Sequence, residues 1–484
     1  MKKLLIAGLS FAVAQVAPTA QVDDVIVRQQ WPWSTDVKVE YVLSGLEVGA
    51  PVDLDVKAYD GGVELDASRL AQSIRGAVHG IVKGQEIGAF TIDPIKAFGG
   101  EKVALADFSV KLSVVDTPAN MDEILYRVYD LDDGSVESVT RMDLLNGKKG
   151  SIVTDYRMFG ADMVTPSELA GDFLVWTEVT NNPIYKTSKL VMRKIPAGGK
   201  VWLCGDPEGS LKNGLGLVER KYVKLTQDYF VGVFEITQAQ FQKIQGNNPS
   251  SFNAASDSVF RPVEMVARPD VHGNHNKATT AAYRGVLTGE IVCWPTNSIL
   301  HDVGKTTFMA NMRSKTGVEF DFPTAAQWEF ACGAYSATAL YSGVPQSQEA
   351  LNVLSWNPGN SDGETHPVGL KAPNGFGLYD MLGNVAEFVH NIGPSPVAGA
   401  SSGDGSSADN PAVDPIGSDD VVAMIEKNEE VSNRQVRGGS YTGMSGTWQD
   451  HRTASSCGFY AWWAKHEWVG FRVVCPATDS GKWE

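Results

Sequence analysis

Asn374-Gly375-Phe376-Gly377-Leu378-Tyr379-Asp380-Met381-Leu382-Gly383-Asn384-Val385-Ala386-Glu387-Phe388 is the stretch on which the reading of this chain turns. Asp380 and Glu387 place two hard carboxylates on either side of a turn at Gly383-Asn384. A turn frees main-chain carbonyls that a helix or a ladder would otherwise occupy. Oxygens of that kind, about six to eight of them, are what Ca2+ takes as ligands, so the stretch is a candidate structural calcium site. The alternative is an ion-free turn whose carboxylates cap neighbouring amides.

Upstream of it, two short helices can be placed by their caps. In Thr237-Gln238-Ala239-Gln240-Phe241 the Thr237 hydroxyl can accept from the amide of Gln240 while the Gln240 side chain reaches back, and Gly246 ends the apolar face of Phe241 and Ile244. Thr324 and Gln327 repeat the device ahead of Trp328 and Phe330. Between Gly393 and Asp420 a Ser/Gly/Ala/Asp-rich stretch reads as a long exposed loop. From Asp23 to about Asp116 the texture is that of strands: Val25–Val27, Val37–Val42, Val52–Val56 and Phe108–Val115 alternate or run apolar between Gly-rich turns. Short strands continue from Ile124 to Val179, and Trp31-Pro32-Trp33 reads as a strand-entry core pair or, less simply, a ligand platform.

The whole chain sets limits on these parts. At 484 residues it exceeds one core. With 43% hydrophobic residues, 20% charged residues and a mean hydropathy of −0.15, it is neither disordered nor membrane-embedded. A formal charge of −16 repels a phosphate backbone, so nucleic acid is excluded as a ligand class. Met1-Lys2-Lys3 followed by the apolar run Leu4 to Val16 has the form of an export signal, cleaved after Ala14 or Ala20. The run is too short to span a bilayer, which predicts a periplasmic or secreted protein that is not membrane-spanning. The predicted domains are a signal peptide at 1–20, an all-β, immunoglobulin-like sandwich at 21–187 and an α+β domain at 188–478. Five cysteines leave at least one thiol unpaired within the chain, and no CxxC spacing occurs.

Five blocks recur in one order across 190–475: Arg193 to Gly199 (RKIPAGG), Tyr229 to Thr237 (YFVGVFEIT), Phe322 to Glu329 (FPTAAQWE), the 374–388 stretch, and Arg437-Gly438-Gly439-Ser440-Tyr441 with Gly470-Phe471-Arg472-Val473-Val474. Together they resemble the formylglycine-generating enzyme (sulfatase-modifying factor) family. The resemblance implies a C-type-lectin-like fold of mixed α+β content with a groove on one face. It also implies calcium at the positions of Asp380, Gly383, Val385 and Glu387, two of them through main-chain oxygen. The same resemblance places two copper-binding cysteines at the second and seventh residues after the aromatic of the Arg-Gly-Gly-Ser motif. Those positions hold Gly443 and Trp448, neither of which can replace the soft thiolates that select Cu(I), so copper is not expected. The family's Arg-x-Ala-x-Arg pattern keeps only its first Arg, Arg452, and Cys457 is the lone thiol nearby. A sister branch that uses histidine-held iron on an N-terminal helical domain is excluded, because the N-terminal region here is β-rich with one histidine, His79.

The remaining histidines suggest little chemistry. His272 and His275 sit in a polar loop that reads as a solvated turn before it reads as a metal pair, and His366 falls in a structural block. What remains is a groove segment rich in aromatics. Trp462 and Trp463 are adjacent and cannot both face one core on a strand. Tyr441, Trp448, Trp462, Trp463 and Trp468 are therefore the candidate ligand-binding residues, for a protein, peptide or carbohydrate ligand. The expected function is a non-catalytic binding module. The rival is a divergent oxidase that still acts on a sulfatase cysteine, and a third reading is a displayed binder with a diversified groove.

Overall fold

The computed structural model describes residues 20–29, 34–48, 51–76, 78–100, 107–116, 122–145, 152–153, 174–206, 212–213, 216–217, 220–273, 303–336, 338–342, 347–391, 402–415, 433–442, 456–461 and 463–478. The export signal and Trp31-Pro32-Trp33 lie outside these residues. Two compact units divide the chain: Met1–Met121 with Leu145–Lys148, and Asp122–Leu144 with Lys149–Glu484.

In the first unit the strand Val37–Ser44 alternates buried and half-buried side chains along its length, as its sequence requires. It pairs antiparallel with Gln21–Gln29 on one side and Ile87–Ile92 on the other. A second sheet pairs Val52–Asp60 with Phe108–Asp116 over nine residues. Val39 and Tyr41 from the first sheet and Leu54 and Ala58 from the second share one core with Phe90 and Ile92. This is the β-rich region the alternation predicts.

The second unit mixes strands with short helices. Its largest sheet runs Val474–Pro476, Tyr229–Gly232, Lys189–Ile195, Ile124–Asp130, Val136–Thr140, all antiparallel. A second sheet orders Ser456–Ala461, Asn433–Arg437, Ala386–Phe388 and Val469–Gly470. The helices Gln238–Gln245 and Ala325–Gly333 carry both capping boxes, each hydrogen-bonded in both directions, and Gly246 closes the first in the left-handed region at φ 83°. Each cap contributes about 1 kcal/mol. Among the described residues, no helix is long and apolar enough to cross a membrane.

Two boundaries differ from the sequence reading. Ile124–Asp130 belongs to the second unit: it pairs with Lys189–Ile195 in the register Lys189↔Asp130 to Arg193↔Tyr126, so this unit begins near 122 and not 188. Leu125, Tyr126, Val128 and Tyr129 are all buried, the mark of a central strand. Turn signals at Asp133-Gly134 fix the local hairpin but say nothing of its distant partner. The second difference concerns the polar 393–420 stretch, which is not wholly an exposed loop. Ala412–Val413 pairs in parallel with Lys221–Lys224, and Asp414 is buried, accepting from the amide and hydroxyl of Thr226 at 2.8 and 2.6 Å.

Candidate functional site

Asn374 anchors the decisive stretch. Its Oδ1 accepts from the amides of Phe376 and Leu378, while its Nδ2 donates to the carbonyls of Ala331 and Cys332 at the end of the Ala325–Gly333 helix. The chain then enters the left-handed region at Asp380 (φ 55°), Gly383 (φ 80°) and Asn384 (φ 58°). Gly383 is obligatory on space as well as angle, because a Cβ there would sit 2.2 Å from the carbonyl oxygen of Trp356. These three residues turn the backbone so that both carboxylates of the stretch point inward.

Their surroundings differ. Glu387 takes the Nε of Arg472 at 2.7 Å on each oxygen, its Nη2 at 2.6 Å and the indole Nε1 of Trp328 at 2.7 Å. Its charge is thus matched by the guanidinium and its oxygens are largely engaged by N–H donors. Asp380 accepts the amide of Gly369 at 2.7 Å through Oδ2, while its Oδ1 is buried without a hydrogen-bond partner. Burial raises the Asp380 carboxyl to about 6, against which the Gly369 amide, Arg472 and Lys186 pull it down. Glu235, from the Tyr229–Thr237 block, completes the cluster. It accepts from Asn384 Nδ2 at 2.8 Å and from the Val385 amide at 3.0 Å, and burial together with Asp380 and Glu387 holds it well above the ordinary carboxylate range. Lys186 and Lys371 also act on Asp380, and burial lowers both ammonium groups.

The sequence-predicted metal residues are therefore gathered in one buried turn, but they are unequal as donors. A hard cation fits the open oxygen of Asp380, and Glu387 is already neutralised by Arg472. Sequence reasoning did not single out Glu235, Arg472, Trp328 or Lys186. The first three lie in or beside the quoted blocks, where a buried charge needs a partner; Lys186 carried no signal.

The aromatic residues divide. Trp463 is exposed (53%), and Trp468 is half-buried with its ring stacked on His466 at 4.6 Å. Tyr441 is a correction: only 2% exposed, it packs edge-to-face on Phe252 at 5.4 Å, and its carbonyl takes the Ser361 hydroxyl at 2.9 Å. The tyrosine that follows Arg-Gly-Gly-Ser reads as a surface platform only until the Phe252 loop is known to cover it. Trp448, Trp462 and the copper-cysteine position Gly443 lie outside the described residues. Of the cysteines, Cys204, Cys332 and Cys475 are buried free thiols. His366 is structural, stacked on Trp356 at 3.8 Å with Nε2 2.8 Å from the Ser361 carbonyl. A separate open cleft of about 430 Å3 is lined by Trp176, Glu178, Asn181, Asn182, Pro183 and Tyr185.

Residues 198–477, more than half of the chain, match the model of the sulfatase-modifying factor enzyme 1-like domain. Chaperone protein LppX of Paenibacillus barcinonensis is 30% identical over 199 residues, covering 37% of this chain and 68% of that protein. The formylglycine-generating enzyme of Mycobacterium tuberculosis is 36% identical over 92 residues, covering 16% of this chain and 31% of that protein. Among solved structures, Treponema denticola variable protein 1 aligns with a TM-score of 0.40 at 20% identity, over 60% of this chain and 95% of that one.

Proposed function

The chain belongs to the family of the sulfatase-modifying factor enzyme 1-like domain, and from that membership we propose that it is an exported, non-catalytic binding module on a lectin-like scaffold. The observation that carries this reading is the pair Gly443 and Trp448 at the positions where the family resemblance places the copper cysteines. Without thiolates there is no soft site for Cu(I), and without the metal the oxidation of a cysteine by O2 has no centre. The relative named a chaperone supports a polypeptide as the ligand, ahead of a carbohydrate. Trp463, exposed beside the half-buried pair His466 and Trp468, offers contact area of the kind binding surfaces use.

A structural calcium ion at the 380–387 turn is part of the proposal. Asp380 Oδ1 and the main-chain oxygens of Gly383 and Val385 would hold it, and Glu387, paired with Arg472, would add charge from behind. The ion's part would be to tie the turn together, not to perform chemistry.

Two assays test the reading. The full chain, incubated with copper, O2 and a Cys-x-Pro-x-Arg peptide, is expected to leave the peptide mass unchanged. An aldehyde that depends on both protein and copper would establish the oxidase, a reading that the likeness to formylglycine-generating enzyme keeps in view. Immobilised full chain is also expected to retain a permanently unfolded, reduced and carboxymethylated polypeptide, with Trp463→Ala weakening retention. No retention by the parent overturns the polypeptide ligand.

A further inference from the structure

Three side chains outside the 380–387 turn converge inside the core built on Phe322, Phe388 and Phe471. His272 follows the helix Arg268–Val271, Asp321 immediately precedes Phe322 and pairs through its backbone with Val474, and His390 follows the strand Ala386–Phe388. The sequence reading of His272 as part of a solvated turn is overturned, since it is completely buried. Its Nε2 lies 2.8 Å from Asp321 Oδ1, and the Nε2 of His390 lies 2.6 Å from the same oxygen. The two imidazoles stand edge-to-face at 5.2 Å, and the three nitrogen and oxygen atoms fall within 4.8 Å of one another.

We infer that His272, Asp321 and His390 form a binding site for a divalent transition-metal ion of the zinc and cobalt class. Two imidazole nitrogens and one carboxylate oxygen are the donor set such ions take, whereas calcium asks for oxygen alone. The ligands come from three segments far apart in sequence, so an ion here would pin the fold and not one loop. The supporting shell is in place. Arg313 Nη2 holds the other oxygen of Asp321 at 3.1 Å, and the Phe322 amide fixes Oδ1 at 2.7 Å, which sets the carboxylate against the two rings.

One residue opposes the ion. Arg268, buried against the Phe322 ring, places Nη2 3.3 Å from Nδ1 of His390. A guanidinium only donates, so Nδ1 is the acceptor and the proton of His390 sits on Nε2, facing Asp321. To ligate through Nε2, His390 must move that proton to Nδ1, where it meets Arg268. Arg268 thus lowers the affinity of the site by charge and by tautomer, and its removal must raise it.

The test uses the full chain purified from cobalt-supplemented culture and, separately, stripped with chelator and titrated with Co2+. The expected result is one Co2+ per chain, with visible d–d absorption and a raised melting temperature. Arg268→Met should tighten binding about tenfold or more, while His390→Ala and His272→Gln abolish the absorption. Asp380→Asn, in the carboxylate cluster, should leave it unchanged. Arg268→Met removes a buried charge that touches none of the three ligands' oxygen atoms directly and keeps the test usable should the histidine variants fail to fold. Absence of Co2+ absorption in both parent and Arg268→Met, or its persistence in folded His390→Ala, overturns the site. Neither result bears on the aldehyde or polypeptide assays, because this inference does not rest on the binding-module reading.

Discussion

Replacing Asp380 by Asn should change how stability responds to pH and to calcium. A carboxyl held near 6 in the folded chain, against an ordinary 3.8, is a cost to folding. Below the ordinary value both states carry the proton and the carboxyl contributes nothing. As pH rises, the unfolded chain releases its proton first, which favours unfolding, and the loss grows until the folded carboxyl ionises near 6. Above that point the deficit is constant at about 3 kcal/mol. The amide of the Asp380→Asn variant cannot ionise, so between pH 3 and pH 7 the parent should lose about 3 kcal/mol relative to it. Urea unfolding followed by tryptophan fluorescence, in chelator, reads this difference directly. Calcium should then offset the deficit in the parent, by about 2.7 kcal/mol at a hundredfold excess over its Kd, and leave Asp380→Asn unmoved. Parallel pH profiles for the two proteins would refute the burial argument, and an equal calcium response would refute the ion site.

Gly383→Ala should cost ~3 kcal/mol or more, because the new Cβ combines a left-handed backbone with a 2.2 Å approach to the Trp356 carbonyl. Gly246→Ala, at a similar φ but with open space around it, should cost only about 1 kcal/mol, and urea midpoints compare the two. Trp463→Ala should stay within ~0.5 kcal/mol of the parent, whereas Trp328→Ala should lose ~3–5 kcal/mol with its cavity and its bond to Glu387. Equal melting temperatures for these two variants would contradict their burial.

What the sequence revealed was local. The capping boxes at Thr237 and Thr324, the alternation of Val37–Ser44 and the turn at Gly383-Asn384 are each set by residues within a few positions of one another, and each stands in the fold as read. What it concealed was long-range. Nothing in Ile124–Asp130 names Lys189–Ile195 as its partner, and nothing in Arg437-Gly438-Gly439-Ser440-Tyr441 reveals that Phe252 covers the ring. The candidate site divides the same way. Asp380 and Glu387 were visible as carboxylates around a turn, but the claim of Arg472 on Glu387 joins positions 85 residues apart. His272 misled because the stretch Asp270 to His275 is mostly polar, while its neighbours in space, Phe322 and His390, come from other elements.

The segment 469–476 serves two sheets at once. Val469–Gly470 lies beside Ala386–Phe388, Val474–Pro476 lies beside Tyr229–Gly232, and between them Arg472 reaches Glu387 and the carbonyls of Gly232 and Tyr379. Until those eight residues arrive, the largest sheet lacks an outer strand, Glu387 is a buried charge without its counter-ion, and Phe471 is missing from the core. Assembly of this unit is therefore governed from its far end. The earlier three hundred and more residues can collapse during synthesis, but they cannot lock.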